Sequence, residues 1–147
     1  MLKHTYEGQD CNLARTLEVI GERWTLLIVR TALLGSCRFE GFLENLDIAR
    51  NVLTNRLTRL VEHGVMERVP YQDKPVRYEY RLTPAGKDLT CAVLALMQWG
   101  DRNLPHELGP PRRADHVGCE SPVRVELRCA QCGRAVHDEE VQVRRIR

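Results

Sequence analysis

Three sets of residues carry the chemistry open to this sequence. The first lies near the end of the chain: His116-x2-Cys119, nine intervening residues, then Cys129-x2-Cys132-Gly133. Two pairs of nitrogen and sulfur ligands on short loops supply what tetrahedral Zn2+ requires, and a zinc with four protein ligands is closed and structural. Gly133 lets backbone amides turn toward the thiolates. His137 can take the place of His116. The same residues also suit a metal-free hairpin or a redox-active Cys129–Cys132 pair. Val123 to Leu127 alternates in character and is expected to form a strand between the pairs.

The second set lies between Ala49 and His63, where Leu53, Leu57, Leu60 and Val61 fall on one helical face. The opposite face shows Asn51, Asn55, Thr58 and Arg59, with Arg50 and Thr54 on its edge. Asn can pair bidentately with adenine and Arg with guanine. Glu62 is the only acid in this stretch, so Arg50, Arg56 and Arg59 make it locally basic. The chain as a whole is nearly neutral, with 22 Lys+Arg against 20 Asp+Glu. Taken alone, such a helix also fits a plain solvated amphipathic helix.

The third is Cys11, one residue after Asp10, a good N-cap. The positive end of a helix favours a thiolate. A small, inert apolar residue is the other reading. Cys91 is a disulfide partner to consider in a second subunit, and Cys37 a weaker one.

The elements that must position these residues follow from periodicity. A first helix carries Leu13, Leu17 and Ile20, and Gly21 breaks or bends it. Trp24, Leu27, Ile28, Thr31 and Leu34 continue an apolar stripe that Gly35 closes. A short helix surrounds Phe39, Phe42, Leu43 and Leu46. Asp47 is expected to cap the helix from Ala49 to His63, which Gly64 ends. Val65–Tyr71 and Arg77–Leu82 read as strands joined by a tip at residues 72–76, with Lys74 and Arg77 placed for phosphates. Thr83 and Pro84 open a last helix running to about Arg102. Its stretch Cys91 to Met97 is apolar all round, which suits a central core helix or, more sharply, a subunit interface.

This order makes the chain mainly α with a small β-hairpin. It predicts a winged helix-turn-helix with flanking dimerisation helices and a small Cys-rich C-terminal tail. Pro105, Gly109, Pro110 and Pro111 mark a boundary. The expected division is 1–104 for DNA binding and dimerisation, 105–111 as linker, and 112–147 as the tail. At 147 residues, 43% hydrophobic and 29% charged, the composition is that of a globular protein. No apolar run of transmembrane length exists, and residues 1–15 lack an apolar signal core, so a cytoplasmic protein without membrane contact is expected. Six cysteines in such a chain do not make a disulfide framework.

Several runs together resemble the HxlR family of bacterial winged-helix regulators. They are Cys11-Asn12-Leu13-Ala14, Ile20-Gly21-Glu22-Arg23-Trp24-Thr25-Leu26-Leu27-Ile28, Arg38-Phe39-Glu40-Gly41-Phe42, Leu53-Thr54-Asn55-Arg56-Leu57, the stretch from Tyr78 to Gly86, and Trp99. The resemblance spans residues 11–100. It implies a homodimeric transcriptional regulator whose first and last helices form the dimer and which binds a pseudo-palindromic operator in double-stranded DNA. It also implies that Cys11 matches a cysteine that senses oxidants or electrophiles in some members. The tail lies outside it.

Two other classes compete. A zinc- or thiol-dependent enzyme is disfavoured because no nucleophile–base pair, Gly-rich phosphate loop or His-Glu-x-x-His motif can be placed. A winged-helix protein-interaction module that has lost DNA binding is disfavoured by the basic helix face. A small-molecule effector could sit near Trp24, Phe42 and Trp99, although these aromatics also suit a plain core.

Overall fold

The computed structural model describes residues 5–146. The chain divides into two compact units, one ending at Val93 and the other beginning at Leu94.

The first unit holds α1 (Asn12–Ile20), α2 (Thr25–Leu33), α3 (Phe39–Asn45), α4 (Arg50–Glu62), β1 (Met66–Asp73), β2 (Val76–Leu82), α5 (Pro84–Lys87) and the start of α6 (Thr90–Asn103). Its core follows the helical spacing at Ile28, Phe42, Leu53, Leu57 and Leu60, whereas Leu13, Leu27 and Leu34 of the expected apolar stripes are exposed. Ile28 and Val29 of α2, Phe42 of α3, Leu53, Leu57 and Leu60 of α4, and Met66 of β1 are fully buried. Burying each such side chain contributes about 1.5–3 kcal/mol, so this cluster fixes α4 against the rest of the unit.

Capping differs from expectation at two helix starts. Cys11, not Asp10, is the N-cap of α1: its backbone is extended and its Sγ accepts from the Ala14 amide at 3.4 Å. At α4 the N-cap is Ala49, with no side-chain cap, rather than Asp47. Buried Leu46 and Ile48 set the path of the chain on either side of Asp47. Thr83 and Pro84 do open a helix, with the Thr83 hydroxyl accepting from the Gly86 amide at 3.1 Å. That helix is not continuous to Arg102. The Leu89 amide reaches back only three residues, to Gly86, and the Thr90 hydroxyl takes the Lys87 carbonyl at 2.6 Å, so a turn separates α5 from α6.

The hairpin is longer than its sequence pattern, running to Asp73 and resuming at Val76. Met66 pairs with Leu82 and Pro70 with Tyr78, and the register slips between Pro70 and Gln72 to accommodate Tyr71. A bridge from Arg38 to Glu79, and a 2.6 Å bond from the Tyr80 amide to the Cys37 carbonyl, tie the hairpin to the start of α3. Glu79 is buried there. Arg81 hydrogen-bonds it at 2.6 Å and Arg38 approaches at 3.6 Å, and together they hold its carboxyl below the ordinary carboxylate range.

The second unit contains the rest of α6, two short antiparallel pairs and a 3-10 turn at Asp138–Glu140. The pairs are β3 (Asp115–His116) with β4 (Ser121–Pro122), and β5 (Leu127–Arg128) with β6 (Ala135–Val136). The boundary between the two compact units falls within α6, between Val93 and Leu94. The expected strand from Val123 to Leu127 does not form. The Gln98 side chain donates to the Val123 carbonyl at 2.9 Å and accepts from the Val125 amide at 3.0 Å, taking the bonds a ladder would have used.

Candidate nucleic-acid interface

The α3–turn–α4 arrangement is a helix-turn-helix, and the β1–β2 hairpin follows it as a wing. The turn is held at both ends. Arg50, at the start of α4, makes a two-pronged pair with Glu40 of α3 at 3.1 and 3.2 Å, and lies 5.7 Å from the Phe39 ring centroid. With Leu53, Leu57 and Leu60 turned inward, α4 presents Asn51, Thr54, Asn55 and Thr58 to solvent.

Local bonding decides what this face can offer. The Thr54 hydroxyl donates to the Arg50 carbonyl at 2.9 Å and the Thr58 hydroxyl to the Thr54 carbonyl at 2.8 Å. Both threonines thus spend their proton on the helix and show outward a methyl and an accepting lone pair, groups suited to a thymine methyl or a base amino group. Asn55 accepts from Arg56 at 2.6 Å through Oδ1, which orients its amide and leaves the NH2 free to donate. No side-chain bond of Asn51 is made among the described residues.

Arg59 departs from expectation. It is half-buried and bonded to the Glu22 carboxylate and, at 3.3 Å, to the Glu18 carbonyl. Arg56 pairs with the same carboxylate at 2.7 Å and donates to the Arg23 carbonyl at 3.1 Å. Both arginines brace α4 against α1 and the turn after it. At Arg59 the helical phase leads away from the open face toward Glu22. Arg56, read from sequence only as local positive charge, is a positioning residue for Asn55. A carboxylate within reach of the same helix side is the signal, and it becomes visible only once α1 is folded against α4.

On the wing, Lys74 and Arg77 are exposed at and beside the tip. Arg68 stacks on Tyr78 and Arg38 on Tyr71, each with its guanidinium 4.1 Å from the ring centroid. These stacks stiffen the hairpin and keep cationic groups along its surface.

The remaining candidate residues are placed as follows. Cys11 is exposed at the start of α1, Cys91 is exposed on α6, and Cys37 is half-buried. Phe42 belongs to the core, whereas Trp99 is 52% exposed in the second unit. The first unit has instead an open cavity of about 660 Å³ lined by Cys37, Tyr80, Arg81 and Lys87 among others. In the tail, His116 Nδ1 and Cys119 Sγ lie 3.2 Å apart. Backbone amides of Cys132 and Gln131 and the Cys132 side chain hold the Cys129 thiol below the usual thiol range. The two pairs are not gathered into one cluster: among the described residues no three His, Cys, Asp or Glu side chains stand together as a metal-binding group. Among those residues, no helix is long and apolar enough to cross a membrane.

Comparison with known proteins gives a consistent picture. A family model described as HxlR-like helix-turn-helix matches residues 19–108. An uncharacterised HTH-type transcriptional regulator of Mycobacterium tuberculosis is 47% identical over 135 residues, covering 92% of this chain and 84% of that protein. The crystal structure of PA1607, described as a candidate transcription factor, superposes with a TM-score of 0.82 at 37% identity, covering 94% of this chain and 96% of that one. The redox regulator HypR in its reduced form gives a TM-score of 0.60 at 32% identity, over 64% of this chain and 94% of its own. At these coverages the matches to the Mycobacterium tuberculosis regulator and to PA1607 extend into the tail, whereas the family model ends at residue 108.

Proposed function

The chain belongs to the HxlR-like helix-turn-helix family of DNA-binding transcriptional regulators, and on that premise we propose that it binds a pseudo-palindromic operator as a homodimer, with α4 in the major groove and the wing on the flanking backbone. The open face of Asn51, Thr54, Asn55 and Thr58 carries this reading. Its members are short polar groups of the kind that read base edges. Its helix is braced from behind by Arg56, Arg59 and Glu22. Its relatives are named as regulators, and we assign the chain no catalytic role and a cytoplasmic site of action.

The wing supplies the test. Lys74 reaches phosphate rather than base, so Lys74→Ala is expected to weaken operator and unrelated DNA about equally and to reduce the slope of log affinity against log salt by about 1. Fluorescence anisotropy at several salt concentrations measures this. An unchanged slope would remove Lys74 from the interface.

The dimer in this reading is built from α1 and α6. Leu13 on α1 is 68% exposed, and Leu96 and Trp99 on α6 are 55% and 52% exposed, an apolar exposure that a second subunit would cover. A small-molecule effector would enter the cavity beside Cys37 and Tyr80, where Lys87 and Glu67 offer opposite charges and Arg81 is already paired with Glu79.

Regulation by oxidants enters through Cys11. HypR is a redox regulator, and Cys11 presents an exposed thiol at a helix start, hydrogen-bonded by the Ala14 amide. Oxidation or alkylation there would add bulk or a crosslink beside the dimer contact that sets the spacing of the two α4 helices. Mild oxidant is expected to lower operator affinity in the wild type and not in Cys11→Ser. Loss in both proteins would move the effect to Cys119, Cys129 or Cys132, and loss in neither would make Cys11 a capping residue only.

A further inference from the structure

The second unit has no buried residue among those described: from Leu94 onward every side chain is exposed or half-exposed. Leu108, Val117, Val143 and Ile146 are each more than 90% exposed. Pairs of two-residue strands and a 3-10 turn cannot hold a fold of this size without a core, and small units of this kind rely on a crosslink or a metal.

Its two hairpins are copies of one device. In the first, His116 opens a turn, Cys119 sits three residues on, and Glu120 adopts φ 55° with its amide bonded to the His116 carbonyl at 2.7 Å. In the second, Cys129 opens the turn, Cys132 follows three residues on, and Gly133 adopts φ 72° with its amide bonded to the Cys129 carbonyl at 2.9 Å. A left-handed residue stands at the same place in both. Glycine adopts it freely, whereas Glu120 adopts it against its ordinary preference. Each turn is closed by its own antiparallel pair.

The ligand atoms within a turn are already near one another. His116 Nδ1 and Cys119 Sγ are 3.2 Å apart, against roughly 3.6 Å for the edge of a tetrahedron with Zn–N about 2.05 Å and Zn–S about 2.3 Å. Gly118 makes room for this, because a Cβ there would stand 2.9 Å from His116 Cε1. His137 is held through its backbone at the start of the 3-10 turn, its carbonyl accepting from the Glu140 amide at 3.0 Å and its amide donating to the Glu140 carboxylate at 2.8 Å.

We propose that the second unit is a zinc ribbon in which His116 and Cys119 of one hairpin and Cys129 and Cys132 of the other jointly bind a single structural Zn2+. The turns supply two bidentate halves that stand apart in this structure, and binding of the ion draws them together. It displaces the thiol protons and gives the tail the cohesion that burial does not. Four protein ligands leave no open position, so the ion has no catalytic part.

The test uses the full chain. Protein purified without chelator is expected to carry one zinc per chain by elemental analysis, and apoprotein titrated with cobalt(II) to develop tetrahedral thiolate spectra that ZnCl2 abolishes. Cys129→Ser and His116→Asn should lose the ion, His116→Cys should retain it, and His137→Asn should leave it in place. Chelation should release the exchange protection of the Glu120 and Gly133 amides while amides in α4 stay protected. The proposal is overturned if the reduced apoprotein takes up no zinc, if Cys129 and Cys132 are found joined as a disulfide in freshly isolated protein, or if His137→Asn loses the ion while His116→Asn keeps it.

Discussion

Replacing Asn55 by alanine is expected to weaken operator binding by about 1–3 kcal/mol, which is roughly 5- to 150-fold, with little change in affinity for unrelated DNA. Asn55 stands in the middle of the open face of α4, and its Oδ1 is held by Arg56. A preset amide loses little freedom when it meets a base. Arg59→Ala should behave differently. Arg59 is spent on Glu22, and both side chains are more than a third exposed, so its loss removes a screened ion pair at about 0.2–1 kcal/mol of stability. Any effect on DNA would come through the tilt of α4 and would not single out one base pair. Parallel titrations of the two variants against operator and scrambled DNA separate the roles. Equal, sequence-specific losses would return Arg59 to the reading face.

The second large effect concerns the dimer. Leu96→Glu with Trp99→Glu places charge on the exposed apolar side of α6 without entering the core. Sedimentation is expected to fall from twice the 16.9 kDa chain mass to a single chain. Operator affinity should drop by about 10²–10⁴-fold as the second half-site contact is lost. A wild-type chain that sediments as a monomer at micromolar concentration would remove the basis for this prediction.

The helix order, the wing and the apolar face of α4 were legible because a 3.6-residue or two-residue period needs no tertiary knowledge. Gly35, Gly64 and the Thr83–Pro84 start were legible for the same reason: their signal lies in one or two residues. What escaped depended on partners distant in sequence. The α4 face could be divided from its edges, but not Arg59 from Asn55, because Glu22 lies 37 positions away. Val123 to Leu127 alternates like a strand, yet the amide of Gln98 takes its backbone bonds. The cap at Cys11 rather than Asp10 is a one-residue shift of the kind helix ends commonly show. In the tail the spacing suggested candidate ligands for the proposed zinc, while the equivalence of the two turns rests on backbone angles at Glu120 and Gly133 that residue types alone do not reveal.

The proposed function stands on a symmetric pair of α4 helices reading DNA. Hydroxyl-radical footprinting of the intact protein on the promoter of its own or a neighbouring gene tests it most directly. Two protected stretches related by a two-fold axis are expected, their centres about one helical turn apart or a multiple of it, with protection of both weakened together by Asn55→Ala. Protection that is uniform along the fragment, or a protected site indifferent to changes at Asn51, Thr54, Asn55 and Thr58, would contradict it.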